Sequence, residues 1–233
     1  MMFGPFNYFL QREKQDLGIK IALIGTIQFI LFTFIAMIFY PGGTNDDETT
    51  KGYLFFYNMF SDLGRTVVFS GQENYISCVL FTIALFFAGL SAIPFYVILY
   101  SKFEKYDESR PYALLGTKFG IFASIGFMGI SITPTNLVDP IHMIFVTIGF
   151  LSAFILSYFY AKAILKVPDY SNIYAYVFIG LFVILGSYIS FFIFRDVLWE
   201  SSLFQVATGQ KISVYALLIT ILIQVIGVYH KRE

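Results

Sequence analysis

The sequence predicts an all-α polytopic membrane protein, a six-helix transmembrane bundle with an interfacial loop or helix after the first span. Hydrophobic residues make up 58% of the 233 residues and charged residues 13%, whereas soluble domains have about 45–50% and about 25%. Six segments are apolar over the roughly 20 residues that a helix needs to cross a bilayer. The alternating strands of a transmembrane β-barrel are absent, and a helix satisfies its own backbone polar groups in lipid.

The composition excludes several functional classes. In water, a surface so poor in charge would leave large apolar patches, which excludes a soluble enzyme and a disordered tail. Fifteen Lys and Arg residues balance fifteen Asp and Glu residues, so no basic field attracts nucleic acid and we expect no such partner. Cys78 is the single cysteine. It excludes an intrachain disulfide and is expected to be a small buried hydrophobic residue.

The first three spans are Leu17–Tyr40, Tyr75–Tyr100 and Tyr112–Thr133. A Pro-Gly-Gly turn follows the first span, and Pro134 follows the third. The first span is too long for the apolar region of a signal peptide and is not followed by a small-residue cleavage site. We therefore expect it to be a retained anchor.

The last three spans are Ile141–Ala161, Ile173–Phe194 and Ile212–Tyr229, the last with an alternative start near Leu203. Pro140 opens the fourth span at a first-turn position, where a helix needs no N–H group. Rows of small residues at four-residue spacing let helix backbones approach closely in lipid. Three such rows predict the centre of the bundle: Ala84, Ala88 and Ala92; Gly116, Gly120 and Ser124; Gly149, Ala153, Ser157 and Ala161.

The basic residues predict the orientation. With both termini inside, eleven lie on the inner side: Arg12, Lys14, Lys20, Lys102, Lys105, Arg110, Lys118, Lys162, Lys166, Lys231 and Arg232. Four lie on the outer side: Lys51, Arg65, Arg195 and Lys211. Because Lys and Arg concentrate in cytoplasmic segments, we expect both termini to be cytoplasmic, and the membrane to be the plasma membrane if the source is prokaryotic.

The segment between the first two spans is the only long loop, and loops of more than about 12–15 residues are usually functional or disordered. Its second half, Gly52–Phe69, is rich in aromatic residues. Aromatic rings favour the membrane interface, so this half is expected to be ordered, partly helical and packed over the outer helix ends as a lid.

Polar residues in this loop form the first half of a candidate site. Ser61 is suited to cap a short helix, and Asp62 and Arg65 would face each other one turn apart. One interpretation is a capped interfacial turn with a surface ion pair of little energetic value. The other is the polar floor of a cavity at the outer mouth of the bundle. The residue types do not decide between them.

Asp139, His142 and Arg195 form the second half, at the outer ends of the fourth and fifth spans. Asp139 is also suited to cap the fourth helix, and Arg195 to anchor the fifth at the interface. A polar residue just inside the membrane boundary usually faces the bundle, so His142 is expected to face the cavity and to hydrogen-bond Asp62, directly or through water.

The positions of the ionisable residues and the number of histidines limit the kinds of site that the chain can form. No ionisable residue lies at the middle of a span, which argues against a proton-coupled or ion-coupled carrier. A hydrolytic zinc site commonly has three protein ligands, often histidines, and the outer side offers only His142. A site of Asp62, Asp139 and His142 remains open as an alternative, but we predict no metal and no cofactor.

Two short motifs carry a family resemblance. The Ser-Asp-Leu-Gly segment Ser61–Gly64 leads through a polar turn into the second helix, and the Asp-Pro-Ile-His segment Asp139–His142 opens the fourth. In both, the chain resembles the prokaryotic membrane family called domain of unknown function 998, over roughly residues 18–160. It is similar, more distantly, to the Frag/DRAM/Sfk six-helix group, although Met143 stands where that group has Asn. The first family implies no known activity, and the second implies lipid handling or lipid-linked regulation.

The expected function is binding or organising lipid or an amphiphile in a polar outer pocket, with Arg65 and Arg195 facing a headgroup anion. The expected partner is therefore membrane lipid, and the chain is compatible with either a monomer or a homo-oligomer. The alternative is a membrane-embedded lipid-modifying enzyme with His142 as general base, oriented by Asp139 or Asp62. A channel or carrier comes third, because the span centres lack polar groups.

Overall fold

The structure, a computed structural model, describes residues 4–198 and 202–230, with side chains for residues 13–194 and 202–229. Its helices are α1 (Gly4–Phe39), α2 (Tyr75–Ser101), α3 (Arg110–Ser131), α4 (Thr135–Leu165), α5 (Ile173–Leu198) and α6 (Leu203–His230). Helices make up most of the described residues, which contain no strand. All six are long and apolar enough to span a membrane. The predicted six-helix fold is thereby confirmed, and the protein is a multi-pass integral membrane protein.

The helix bounds refine two predicted spans. α6 begins at Leu203, the earlier of the two starts considered, and therefore contains Lys211. α4 has a kink at Val138, whose φ of −139° and ψ of 48° are not helical. The continuous part of α4 begins after this kink, so Pro140 lies in its first turn, where a missing N–H breaks no helical hydrogen bond.

Each helix packs against the next in sequence, and α6 also contacts α1. The predicted rows of small residues lie at these contacts, and all but the half-buried Ala88 are buried. The backbones of α3 and α4 approach closely at Gly126, where an added Cβ would clash with the backbone N of Gly149. Because lipid offers no hydrophobic drive for helix association, such close packing stabilises the bundle.

The loop between α1 and α2 packs into one end of the bundle, which we call the loop end. It contains a 3-10 helix, Phe60–Gly64, that contacts α1, α2, α3, α4 and α6. Phe60 and Leu63 are 3% and 0% exposed, and Phe60 packs against Phe29 and Tyr215, with ring centres 5.8 and 5.9 Å away. The aromatic half of the loop is thus ordered, as expected, and it inserts between the helices as well as covering them.

Candidate functional site

A buried carboxylate organises the loop end. Asp62 is 7% exposed, and its Oδ2 accepts a hydrogen bond from the backbone N–H of Met59 at 2.7 Å and from Nδ2 of Asn58 at 3.3 Å. Asn58 is fully buried and also binds the loop backbone, donating to Gly43 O at 2.9 Å and accepting from Leu54 N at 2.9 Å. These bonds tie the two halves of the loop together around one turn.

A buried lysine connects this turn to α6. Lys211 is 2% exposed, and its ammonium group donates a hydrogen bond to the backbone O of Asn58. It lies 5.1–5.4 Å from the ring centres of Tyr53, Phe55 and Phe60. These distances allow cation–π attraction. The next residue, Gln210, accepts the N–H of Phe60 at 2.8 Å. We call Asn58, Asp62, Gln210 and Lys211 the loop anchor.

Burial has the largest effect on the pKa of Asp62. Loss of water raises the pKa of its carboxyl group to about 6, because the charged form is poorly solvated in the anchor. The N–H of Met59, the amide of Asn58 and the charges of Arg65 and Lys211 act in the opposite direction and lower this pKa. The described residues show no ion pair between Asp62 and Arg65, so the expected facing pair is not formed.

The raised pKa of Asp62 predicts how stability depends on pH. Between about pH 4 and 6 the folded protein binds a proton that the unfolded chain releases, so this group makes the fold less stable as pH rises through 6. A shift of about two pKa units corresponds to roughly 3 kcal/mol. Thermal unfolding in detergent should therefore show that Asp62→Asn removes part of the wild-type stability loss between pH 5 and 7. Asp169→Asn, at an exposed carboxyl group, is the control, and an unchanged profile for Asp62→Asn would contradict the prediction.

Five of the six predicted site residues line one cavity at the loop end, with a volume of about 630 Å³. They come from two separate parts of the chain: Ser61, Asp62, Arg65, Asp139 and His142. α5 and α6 complete the wall of this cavity, which we call the polar cavity. The sixth residue, Arg195, belongs to α5, but its side chain lies outside the described residues.

Arg65 is held along the wall of the polar cavity. Its Nη1 donates to Thr135 Oγ1 at 3.3 Å and its Nε to Val67 O at 3.2 Å. The guanidinium carbon lies 4.0 Å from the ring centre of Phe69. Asp139 is exposed and forms no hydrogen bond with the described residues, so the helix cap considered for it is not formed.

His142 is 2% exposed, and one ring nitrogen faces the turn that follows α3. Its Nδ1 lies 2.6 Å from the backbone O of Thr133. A carbonyl oxygen only accepts, so Nδ1 carries the proton and Nε2 is left as the acceptor of the neutral ring. The direct hydrogen bond expected between His142 and Asp62 is not formed, because Thr133 binds the ring and the Met59 turn binds the carboxylate.

A second cavity continues from the polar cavity into the bundle. It is narrow, about 90 Å³, and it runs along α2 from Phe81 to Tyr96 between mainly apolar side chains. At 1.5 Å per residue this stretch of α2 is about 22 Å long. Four residues line both cavities and form the neck between them: Ser61, His142, Val146 and Gln210. We call the second one the apolar cavity.

The sequence prediction missed the anchoring residues of α6. A sixth span that begins at Ile212 places Lys211 among the outer basic residues, and the alternative start near Leu203 places it inside the span. With that earlier start, Lys211 falls inside a span, where a charged residue usually faces the protein interior and has a partner. Its position inside the span was therefore the available signal.

The described residues contain no group of three or more His, Cys, Asp and Glu side chains placed to hold a metal ion. The set of Asp62, Asp139 and His142 lines one cavity but is not gathered around a common point. The polar cavity therefore offers hydrogen bonds and charge to a ligand, and the neck offers Nε2 of the His142 imidazole.

Comparison with family models, with curated proteins and with solved structures finds no significant match to this chain. The resemblance to the two six-helix families therefore stays a prediction.

Proposed function

We propose that this protein binds a membrane amphiphile, with its headgroup in the polar cavity and an apolar tail directed into the apolar cavity. The observation that carries the proposal is the shared neck of Ser61, His142, Val146 and Gln210. Across this neck the walls change from charged to apolar. A ligand that satisfies both walls has a polar end and an apolar end.

The charges of the polar cavity favour a zwitterionic headgroup. Three carboxyl groups line it, those of Asp46, Asp62 and Asp139, against one described cation, Arg65. A phosphate would bind near Arg65, as the sequence suggests, and an ammonium group would lie among the carboxylates. Opposite charges attract strongly where water is partly excluded, so a headgroup that carries both signs suits this wall better than a simple anion.

The apolar cavity limits how the tail enters. Its volume of about 90 Å³ is less than the ~150 Å³ of a cavity that binds benzene. A long tail therefore enters only if side chains of the wall move. Five phenylalanine side chains of the wall come from five different elements, α1, the 3-10 helix, α2, α3 and α4: Phe29, Phe60, Phe81, Phe127 and Phe150.

A substitution at the neck tests the proposal. Val146→Phe should close the passage, while Ile144→Phe, two residues away and 58% exposed, adds the same ring on the outside of the bundle. Native mass spectrometry of the purified chain with added phosphatidylethanolamine should show bound lipid for the wild type and Ile144→Phe. We expect about tenfold less for Val146→Phe, since burial of each methylene contributes roughly 0.8 kcal/mol.

Two results would contradict the proposal. One is a wild type that retains no added phosphatidylethanolamine above the level of detergent exchange. The other is equal binding by both Phe variants when each melts like the wild type, because a blocked neck would then make no difference to the ligand.

One observation favours a catalytic variant of this proposal. Nδ1 of His142 is committed to Thr133 O, so the lone pair of Nε2 stays available at the neck as a general base. If the bound lipid is turned over, His142→Gln should abolish turnover and keep binding. Lipid that comes back unchanged from prolonged incubation with the wild type would favour the binding function alone.

For the orientation, we propose that the loop end faces outwards and both termini face the cytoplasm. Eleven of the fifteen Lys and Arg residues lie on the proposed inner side, which supports it. In a Cys78→Ser background, Glu48→Cys in the exposed loop should react with an impermeant maleimide added to intact cells. Ser171→Cys, exposed at the opposite end, should react only after lysis, and the reverse pattern would refute this orientation.

A further inference from the structure

A lateral groove lies between α5 and α6, outside both cavities described above. Its volume is about 460 Å³, and its wall includes Ser187 and Tyr188 of α5 and Phe204 and Thr208 of α6. From Phe204 to Ser213 it follows α6 for nine residues, about 13 Å at 1.5 Å per residue. Apart from a few hydroxyl and amide groups, its wall is apolar.

The groove is continuous with the polar cavity. Tyr188 lines both spaces. The polar cavity also contacts the same ends of α5 and α6, through Phe192, Leu203 and Val206. The polar cavity therefore has two apolar extensions: the apolar cavity, reached through the neck, and the groove, reached past Tyr188. The two extensions share no lining residue.

A hydroxyl group in the groove lacks a partner. Thr208 Oγ1 is buried and makes no hydrogen bond to any described residue. Other buried threonines in the bundle bond the carbonyl four residues earlier, Thr26 to Ala22 O at 2.9 Å and Thr33 to Phe29 O at 2.7 Å. A buried polar group without a partner costs free energy, so Thr208 indicates an occupant with a hydrogen-bonding atom one or two turns below the loop end.

We infer that the ligand is a two-chain lipid, with its second acyl chain in the α5–α6 groove. This inference rests on the proposed function, because the headgroup occupies the same polar cavity. Two separate apolar extensions from one polar cavity match the branching of a diacyl lipid at its glycerol backbone. An ester carbonyl at that branch is the acceptor that Thr208 lacks, and the lipid enters sideways from the membrane between α5 and α6.

Competition between a two-chain and a one-chain lipid tests this inference. The full-length chain in detergent is mixed with equal amounts of dipalmitoyl-phosphatidylethanolamine and palmitoyl-lysophosphatidylethanolamine, and native mass spectrometry reads the bound ratio. The wild type should prefer the two-chain lipid at least about tenfold, because the second chain buries additional methylenes. Ser187→Phe fills the groove and should reduce the ratio to about one without loss of the one-chain lipid.

Ser190→Phe is the matched control, since it adds the same ring to an exposed position one turn further along α5 that does not line the groove. Thr208→Val is a second variant, which keeps the shape and removes the hydroxyl group. It should weaken the two-chain lipid a few-fold and leave the one-chain lipid unchanged.

The outcomes separate the two proposals. Equal binding of both lipids by the wild type, or a preference that Ser187→Phe leaves intact, overturns the second-chain site and leaves amphiphile binding standing. A Ser187→Phe protein that melts like the wild type but loses both lipids equally also overturns it. If the wild type binds neither lipid, the proposed function itself fails.

Discussion

Lys211→Met should destabilise the protein by about 2–4 kcal/mol and release the loop from α6. The ammonium group is buried, donates to Asn58 O and lies against three aromatic rings. Met retains most of the volume but neither the charge nor the donor. The carboxyl group of Asp62 then stays buried without its nearest charged neighbour on α6, which is unfavourable.

The pH dependence of this loss distinguishes the anchor from simple packing. Below pH 6 the Asp62 carboxyl group is mainly protonated, so the missing positive charge matters less. Above pH 7 it is charged, and Lys211→Met should then destabilise most. Thermal unfolding in detergent at pH 5 and pH 8 measures this difference, and limited proteolysis of residues 40–74 measures release of the loop.

Lys118→Met is the control for Lys211→Met, because Lys118 is exposed on α3. It should change the melting temperature little at either pH. If Lys211→Met loses no more stability than this control, or loses the same amount at pH 5 and pH 8, then the lysine does not anchor the loop electrostatically.

Gly126→Ala should have the second large effect, because it adds one methyl group between two backbones. The new Cβ would clash with the backbone N of Gly149 and lie 3.0 Å from Phe145 O. Backbone atoms do not rotate away, so α3 and α4 have to separate. We expect a loss of about 1–3 kcal/mol, the usual cost of overpacking, although alanine is intrinsically the better helix former.

Gly180→Ala on α5 provides the matched control. It is the same substitution in a spanning helix, and nothing lies within 4 Å of the added Cβ. Here the helix preference of alanine acts alone, so stability should stay equal or rise by up to about 1 kcal/mol. Equal melting temperatures for the two variants would show that the contact between Gly126 and Gly149 does not limit the packing of α3 and α4.

The predicted rows of small residues agree with the observed contacts for a local reason. Spacing along a helix assigns residues to one face, and in lipid the closest helix contacts need small side chains. Gly149 and Gly120 could therefore be assigned to the centre of the bundle from spacing alone. The partner of each glycine is set by the arrangement of whole helices, so the pairing of Gly126 with Gly149 was not predictable.

For the candidate site, too, the residues could be predicted from the sequence but their partners could not. The motif around Asp62 and the start of α4 around His142 each indicated a polar residue near the membrane boundary, and both line the polar cavity. The direct hydrogen bond predicted between them is not formed, and the water-mediated alternative stays a prediction. Nδ1 of His142 donates instead to Thr133 O, and the Asp62 carboxylate accepts the N–H of Met59. Both partners are backbone groups, nine and three positions away in sequence, and a pattern of side-chain types does not reveal such bonds.

Hydrophobic length and composition act locally along the chain, so the fold class, the six spans and the aromatic loop that covers one end could be predicted without a structure. Two features depend on the packing of distant segments: Lys211 of α6 anchors the loop through Asn58, and one neck joins a polar to an apolar cavity. Lys211 and Asn58 are 153 positions apart. Their contact depends on how all six helices pack, and no local pattern in the sequence encodes that packing.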